Sequence, residues 1–291
     1  MQNPFLLHLF IVVAMMHDAF LDPSLNTPAS RATLALHLYH ATSLFKQKLL
    51  KSSSEQACEV DSLWLACSLM SITSFGKLDI MDPFQAWPLK DSNDGCDLEW
   101  LGMSDGKRAL TNMSLASPDG SFFKDLLHVL SQHHPTDGEA PIAPDVLPAG
   151  FYPLFNLSQD SSSEINPYHK AASILGQLFH RRVDEFNIGD FLAFTFYADR
   201  SYRDLLQAKD HRSLLLMSYW FAMIATNSVW WMQRRPAVEG AAICIYLERN
   251  CVDRRILDLL DYPRTVLLPE PCYLGSQAPA PSISGPESFI S

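Results

Sequence analysis

Few residues in this sequence stand at spacings that could make or break bonds. Gly102-Met103-Ser104-Asp105-Gly106 fits G-x-S-x-G, the elbow that exposes a nucleophilic serine above a parallel sheet. The elbow needs βαβ units, and none is legible here. Ser104 and Asp105 also stand just ahead of an apolar run from Lys107 to Leu115, where they read as helix N-caps. His133, His134, Asp137 and Glu139 carry metal-binding atoms, but they lie in a proline-rich stretch without the i, i+4 spacing that puts ligands on one helical face. The six cysteines (Cys58, Cys67, Cys96, Cys244, Cys251 and Cys272) include no C-x-x-C pair and read as reduced structural thiols of a cytoplasmic or nuclear protein. No D-D-x-x-D run and no nucleotide-binding glycine loop is present, so no metal or cofactor is expected.

What remains is an aromatic and methionine-rich set. Phe191, Phe194, Phe196 and Tyr197 precede a segment carrying Met217, Tyr219, Trp220, Met223, Asn227, Ser228, Trp230 and Trp231. Such residues fill cores. They also wall pockets, because Met and aromatic rings adapt to a rigid hydrocarbon while Tyr and Trp each aim one donor. The candidate ligand-binding residues are therefore Phe194, Phe196, Met217, Tyr219, Trp220, Met223, Asn227, Trp230 and Trp231, with Tyr219 or Trp220 as the orienting donor. Arg234, Arg235 and Glu239 are placed to pair across a helix junction.

Helical periodicity must position these residues. Phe5 to Leu21 is apolar almost all round and reads as a buried first helix; its strongly apolar run, Phe5 to Met16, is too short to span a bilayer and lacks the basic start of a signal peptide. Further helices are expected at Arg31–Leu50 (capped by Ser30), Asp61–Leu78, Lys107–Leu115, Phe122–His133, Tyr168–Arg182, Asp190–Asp199, Ser201–Ala208, Arg212–Met232, Ala237–Arg249 and Asp253–Leu260. Asp79 to Gly106 reads as a structured loop anchored by Trp87 and Trp100. Residues 134–163 hold five prolines and read as the loop between two helical lobes, about 1–133 and 164–264, around an apolar pocket. Residues 265–291 read as a disordered tail. The fold class is all-α.

Charge narrows the partners. The 291 residues carry a net charge of −10 with a sequence pI of about 5.4, and the basic residues form only pairs. A net negative surface without a basic stripe repels phosphate, so no direct nucleic-acid contact is expected.

One resemblance adds to this. Leu214-Leu215-Leu216-Met217-Ser218-Tyr219-Trp220-Phe221-Ala222, then Ser228-Val229-Trp230-Trp231, Arg234-Arg235, Glu239 to Glu248 and Ile256 to Arg264 follow one another in an order similar to the C-terminal domain of fungal zinc-cluster transcription factors of the sterol-uptake control type. Pro4 to His8, Tyr39 to Ala41, Asn166 to Ala171 and Asp204 to Leu206 resemble that domain upstream, so the likeness runs from about Asn3 to Arg264. It implies a helical domain that binds ergosterol or a related apolar molecule to regulate transcription. The family's six-cysteine zinc cluster is not matched, because thiolates scattered from Cys58 to Cys272 do not converge on metal. The expectation is a regulatory binder of a hydrophobic polycyclic molecule acting through a protein partner or as a homodimer. The alternative is a cofactor-free cyclase or pericyclase on the same fold, which would hold its substrate in a reactive pose.

Overall fold

The computed structural model describes residues 3–51, 57–90, 97–116, 142–181, 188–198, 200–226 and 229–268. Among these the chain is all-α, with no strand. Twelve α-helices are described: α1 (Pro4–Leu21), α2 (Pro28–Lys51), α3 (Ala57–Gly76), α4 (Glu99–Ala116), α5 (Phe151–Phe155), α6 (His169–Leu178), α7 (Ile188–Tyr197), α8 (Arg200–Gln207), α9 (His211–Ala225), α10 (Ala241–Asn250), α11 (Arg254–Leu259) and α12 (Asp261–Leu267). A 3₁₀ turn at Trp230–Met232 and a π-helical turn at Pro236–Gly240 join α9 to α10.

Local chemistry sets these boundaries. α2 starts earlier than its apolar pattern suggests, because Thr27 and Ser30 exchange backbone-to-side-chain bonds (Ser30 N to Thr27 Oγ1 3.1 Å, Thr27 N to Ser30 Oγ 2.9 Å) and Pro28 occupies the first turn. The cap is Thr27, and Ser30 is its reciprocal partner. α9 begins at Asp210, whose carboxylate accepts from the Ser213 amide at 2.8 Å. It stops at Ala225, so Trp230 and Trp231 sit in a separate turn and not on the same helix as Trp220. α4 begins at Glu99, which puts Gly102 to Gly106 inside a helix. That sequence is therefore neither an elbow nor an N-cap. The last helix continues to Leu267, past Arg264. The expected Phe122–His133 helix, residues 134–141 of the proline-rich loop, Asn227, Ser228 and the tail beyond 268 lie outside the described residues.

Besides a small group of Ala86, Val238 and Ala242, the described residues form two main groups of buried apolar residues. The smaller joins α1, α2, α3 and α4 through Phe5, Leu9, Ala41, Phe45, Leu63, Trp64, Cys67 and Leu110. The larger centres on α9, whose residues Ser213 to Ile224 are all buried. Phe75, Trp100 and Leu101 belong to this larger core although they precede the proline-rich stretch. The first helix is only half-swallowed. α1 buries Phe5, Leu9 and Val12 and leaves Leu7, Phe10, Phe20 and Leu21 exposed, which corrects the expectation of burial all round. By length and composition α1 is the one helix among the described residues that could cross a membrane.

α1 and α3 close on the C-terminal half at Gly76. A Cβ there would lie 3.1 Å from Met16 Cε and 3.2 Å from both Cβ and the backbone oxygen of Trp231. Backbone cannot retreat as a side-chain tip can, so Gly76→Val should overpack the joint. We expect a loss of about 1–3 kcal/mol, read as a lower thermal midpoint with native helical content retained at low temperature.

Candidate functional site

α9 presents Tyr219 and Trp220 to two different surroundings, because successive helical residues point about 100° apart. Tyr219 meets Phe151 edge-on at 4.8 Å and lies near Tyr262 (5.4 Å) and Phe179 (6.1 Å). Its hydroxyl donates to the Leu259 carbonyl at 2.7 Å, and burial holds it well above the ordinary tyrosine range. Trp220 is fully buried and donates from Nε1 to the Phe191 carbonyl at 2.8 Å. Both nominated donors are therefore committed to backbone carbonyls, and neither is placed to orient a ligand by donation.

Around Trp220 the rings form a continuous wall. Phe194 stacks on it at 5.3 Å and Trp100 at 6.0 Å. Phe75 meets Trp100, Trp220 and Trp231 edge-to-face at 5.1, 5.9 and 5.8 Å. Trp230 and Trp231 are half-buried, and Trp230 lies 5.2 Å from His17 and 6.0 Å from Phe20 of α1. The wall thus runs from the surface at Trp230 and Trp231, through Phe75, to Trp100 and Trp220.

At its base is a buried ion pair. Arg235 places its guanidinium 4.9 Å from the Trp100 ring and 5.5 Å from the Phe75 ring. It pairs with Glu239, one helical turn on in the π-helical segment, and both side chains are almost wholly buried. Its remaining donors reach the end of α3: Nε to Phe75 O at 3.0 Å, Nη2 to Ser74 O at 3.0 Å and to Lys77 O at 3.5 Å. Burial pushes the Glu239 carboxyl up, against the pull of Arg235, and the nearby Asp97 carboxylate adds to the rise. Asp97 itself pairs with Lys90 at 2.6 Å.

Three polar atoms here have no hydrogen-bond partner among the described residues: Trp100 Nε1, Glu239 Oε2 and Asp97 Oδ2. One is a donor and two are acceptors. Buried groups of this kind cost roughly 1–3 kcal/mol each unless something satisfies them. π-helical turns recur at functional sites, and Glu239 sits in one.

Of the residues selected from sequence, the structure brings together Phe194, Trp220 and, through Phe75, Trp231. Met217 and Met223 are buried in the same core. Phe196 faces away to Arg108, whose guanidinium is 6.0 Å from its ring. Tyr219 belongs to the second aromatic cluster, Trp230 to the surface end of the wall, and Asn227 lies outside the described residues. Sequence reasoning missed Phe75 and gave Trp100 only an anchoring part. The i, i+4 spacing of Arg235 and Glu239 was the available signal for the ionic base. Among the described residues no group of three or more His, Cys, Asp or Glu could hold a metal ion.

Compared with protein-family models, with characterised proteins and with solved structures, the chain matches none.

Two measurements probe this centre. Arg235→Ala leaves Glu239 buried without its partner and removes the donor to the carbonyls of Ser74, Phe75 and Lys77 at the end of α3, and should cost about 3–5 kcal/mol in denaturant unfolding. Arg235→Lys should recover little of that, since a point charge cannot replace the planar fork. The second concerns pH. A carboxyl raised in the fold binds its proton more tightly there than in the unfolded chain. Its contribution is therefore complete below the ordinary glutamate value of 4.5 and is lost as pH rises through the folded value. Unfolding free energy followed upward from that pH should fall more steeply in the wild type than in Glu239→Gln.

Proposed function

We propose that this chain binds a rigid, largely apolar polycyclic molecule with a single hydroxyl or carbonyl, of the sterol or terpenoid class, and serves as a ligand-responsive regulatory domain. The observation that carries the proposal is Trp100 Nε1, without a hydrogen-bond partner among the described residues, on the ring that Arg235 of the Arg235–Glu239 pair faces, at the inner end of a wall of aromatic rings. Trp100 would donate to the ligand oxygen. Glu239 Oε2 would accept from a hydroxyl, or donate to a carbonyl when protonated. Affinity would come from apolar area removed from water, at about 25 cal/mol per Å² before the costs of association. The ligand class follows from the resemblance to the sterol-responsive domains.

A second reading is favoured by one feature, the raised Glu239 carboxyl among stacked rings. A protonated Glu239 could start a cyclisation by giving its proton to the substrate, and the carboxylate left behind could take a proton back from the product cation. This is the cofactor-free cyclase.

The test is titration of the folded protein with ergosterol and with polycyclic terpenoids, following tryptophan quenching and analysing the extracted compound by mass spectrometry. Saturable quenching with unchanged compound, weakened about tenfold in Trp100→Phe through loss of one hydrogen bond, is the expected result. An isomer of the same mass, formed by the wild type and not by Glu239→Gln, would replace the binder with the cyclase. Absence of both quenching and product would overturn the proposal.

A further inference from the structure

Three imidazoles meet in the seam between α1 and α2. His8 Nδ1 lies 2.8 Å from His37 Nδ1, and the His8 ring stacks on His40 at 5.3 Å. His8 and His37 are half-buried and His40 is exposed, so protons reach the seam from solvent. A hydrogen bond between two ring nitrogens needs one N–H and one lone pair. The pair can take up a first proton and keep that bond, because the proton settles on the outer nitrogen of the donor ring. A second proton has to go to the accepting Nδ1. Two N–H groups then face each other at 2.8 Å between two cationic rings, and the bond is lost.

Nothing described nearby offsets that charge. α2 has no acidic residue, and its other cations are Arg31, Lys46, Lys48 and Lys51. The acidic residue of α1 is Asp18, almost three turns beyond His8. On α3, Glu59 and Asp61 stand in the first two turns, and Asp22 caps the Ser24 amide at the tip of the hairpin. The turn at Trp230–Met232 has no titratable side chain. Among the described groups, what opposes a proton on His8 is partial burial first, then the charges of His37 and His40. A metal ion is not the occupant this cluster fits, because no group of three or more described ligands could hold one. The ligand that remains is the proton.

We propose that the α1–α2 seam is an acid-sensitive latch, in which a second proton on the His8–His37 pair loosens α1 and uncovers Trp230 and Trp231. α1 is suited to local release, since only Phe5, Leu9 and Val12 of its 18 residues are buried. Its far end lies on the surface end of the ring wall, with His17 at 5.2 Å and Phe20 at 6.0 Å from Trp230. Met16 and Trp231 crowd together over Gly76. The latch rests on this packing alone and stands without the ligand.

Hydrogen exchange of the full chain, read by mass spectrometry and corrected for the intrinsic effect of pH, tests it. The closed seam refuses a proton that the open seam accepts, so its stability is complete above the ordinary histidine value of 6.5 and is lost as pH falls below it. At pH 5.5 full refusal would favour opening about tenfold, and solvent screening lowers this, so exchange across residues 4–21 should rise about three- to tenfold over pH 7.5. Residues 213–224 of α9 should keep their protection. His8→Gln should abolish the rise, because a side-chain amide offers donor and acceptor and takes no proton. His37→Gln should do the same, and circular dichroism at pH 7.5 checks that both variants fold. Exchange of α1 that ignores pH overturns the proposal, as does a rise that persists in both variants. A rise shared equally by α9 also overturns it, since that is global acid unfolding.

Discussion

The carbonyls of Ser74, Phe75, Lys77 and Leu78 lie where α3 runs out, and the other half of the chain supplies their donors. Arg235 reaches the first three, and Arg234 donates to Leu78 O at 3.0 Å. A helix end left in an apolar interior must satisfy these acceptors, and its partial negative charge favours a cation there. Nearly everything else at the centre of the molecule follows from this clamp. Because the guanidinium is held at α3, Phe75 and Trp100 can lie against it. Because it is buried, it needs Glu239, and the π-helical turn at Pro236–Gly240 holds that carboxylate.

The clamp also explains why the larger core recruits residues from early in the sequence. Phe75 and Trp100 are drawn onto α9 by an arginine some 160 residues from Phe75. An isolated ion pair in such a place is weak evidence for stability, since well-packed apolar residues of similar volume often serve as well. Here the arginine has work that no apolar residue can take over, because the α3 carbonyls need N–H groups. The same cannot be said of Glu239 Oε2, which has no hydrogen-bond partner among the described residues.

Much of the helical order was legible in the sequence, because three- and four-residue apolar steps survive wherever a helix has one buried face, as in α2 and α3. The errors fall where tertiary contacts override that signal. Trp230 and Trp231 continue the apolar pattern of α9, but the helix has already ended at Ala225. Gly102 to Gly106 carries two glycines and reads as a break, yet α4 continues through it. α1 is apolar on all sides, and periodicity cannot tell a helix sunk in a core from one with a bare outer face. The candidate site was half legible. Trp220 and Phe194 follow from aromatic density, and Arg235 and Glu239 from their spacing. Trp100 and Phe75 do not, because their place depends on where α3 and α4 end up and on no local pattern.

The position of the unpartnered atoms has a consequence for regulation. Trp100 and Glu239 are the two groups that touch Arg235 most directly from within the C-terminal core and α4. A molecule that satisfied them would bear on the same guanidinium that fastens α3. Its binding energy would then add to the stability of that joint, since a ligand of the native state stabilises the contacts on which its site depends. A ligand held by the Tyr219 cluster would leave the clamp untouched, because that cluster joins α5, α9 and α12 and includes no part of α3. Of the two aromatic centres described, the one at Trp100 is the one that includes the α3 joint.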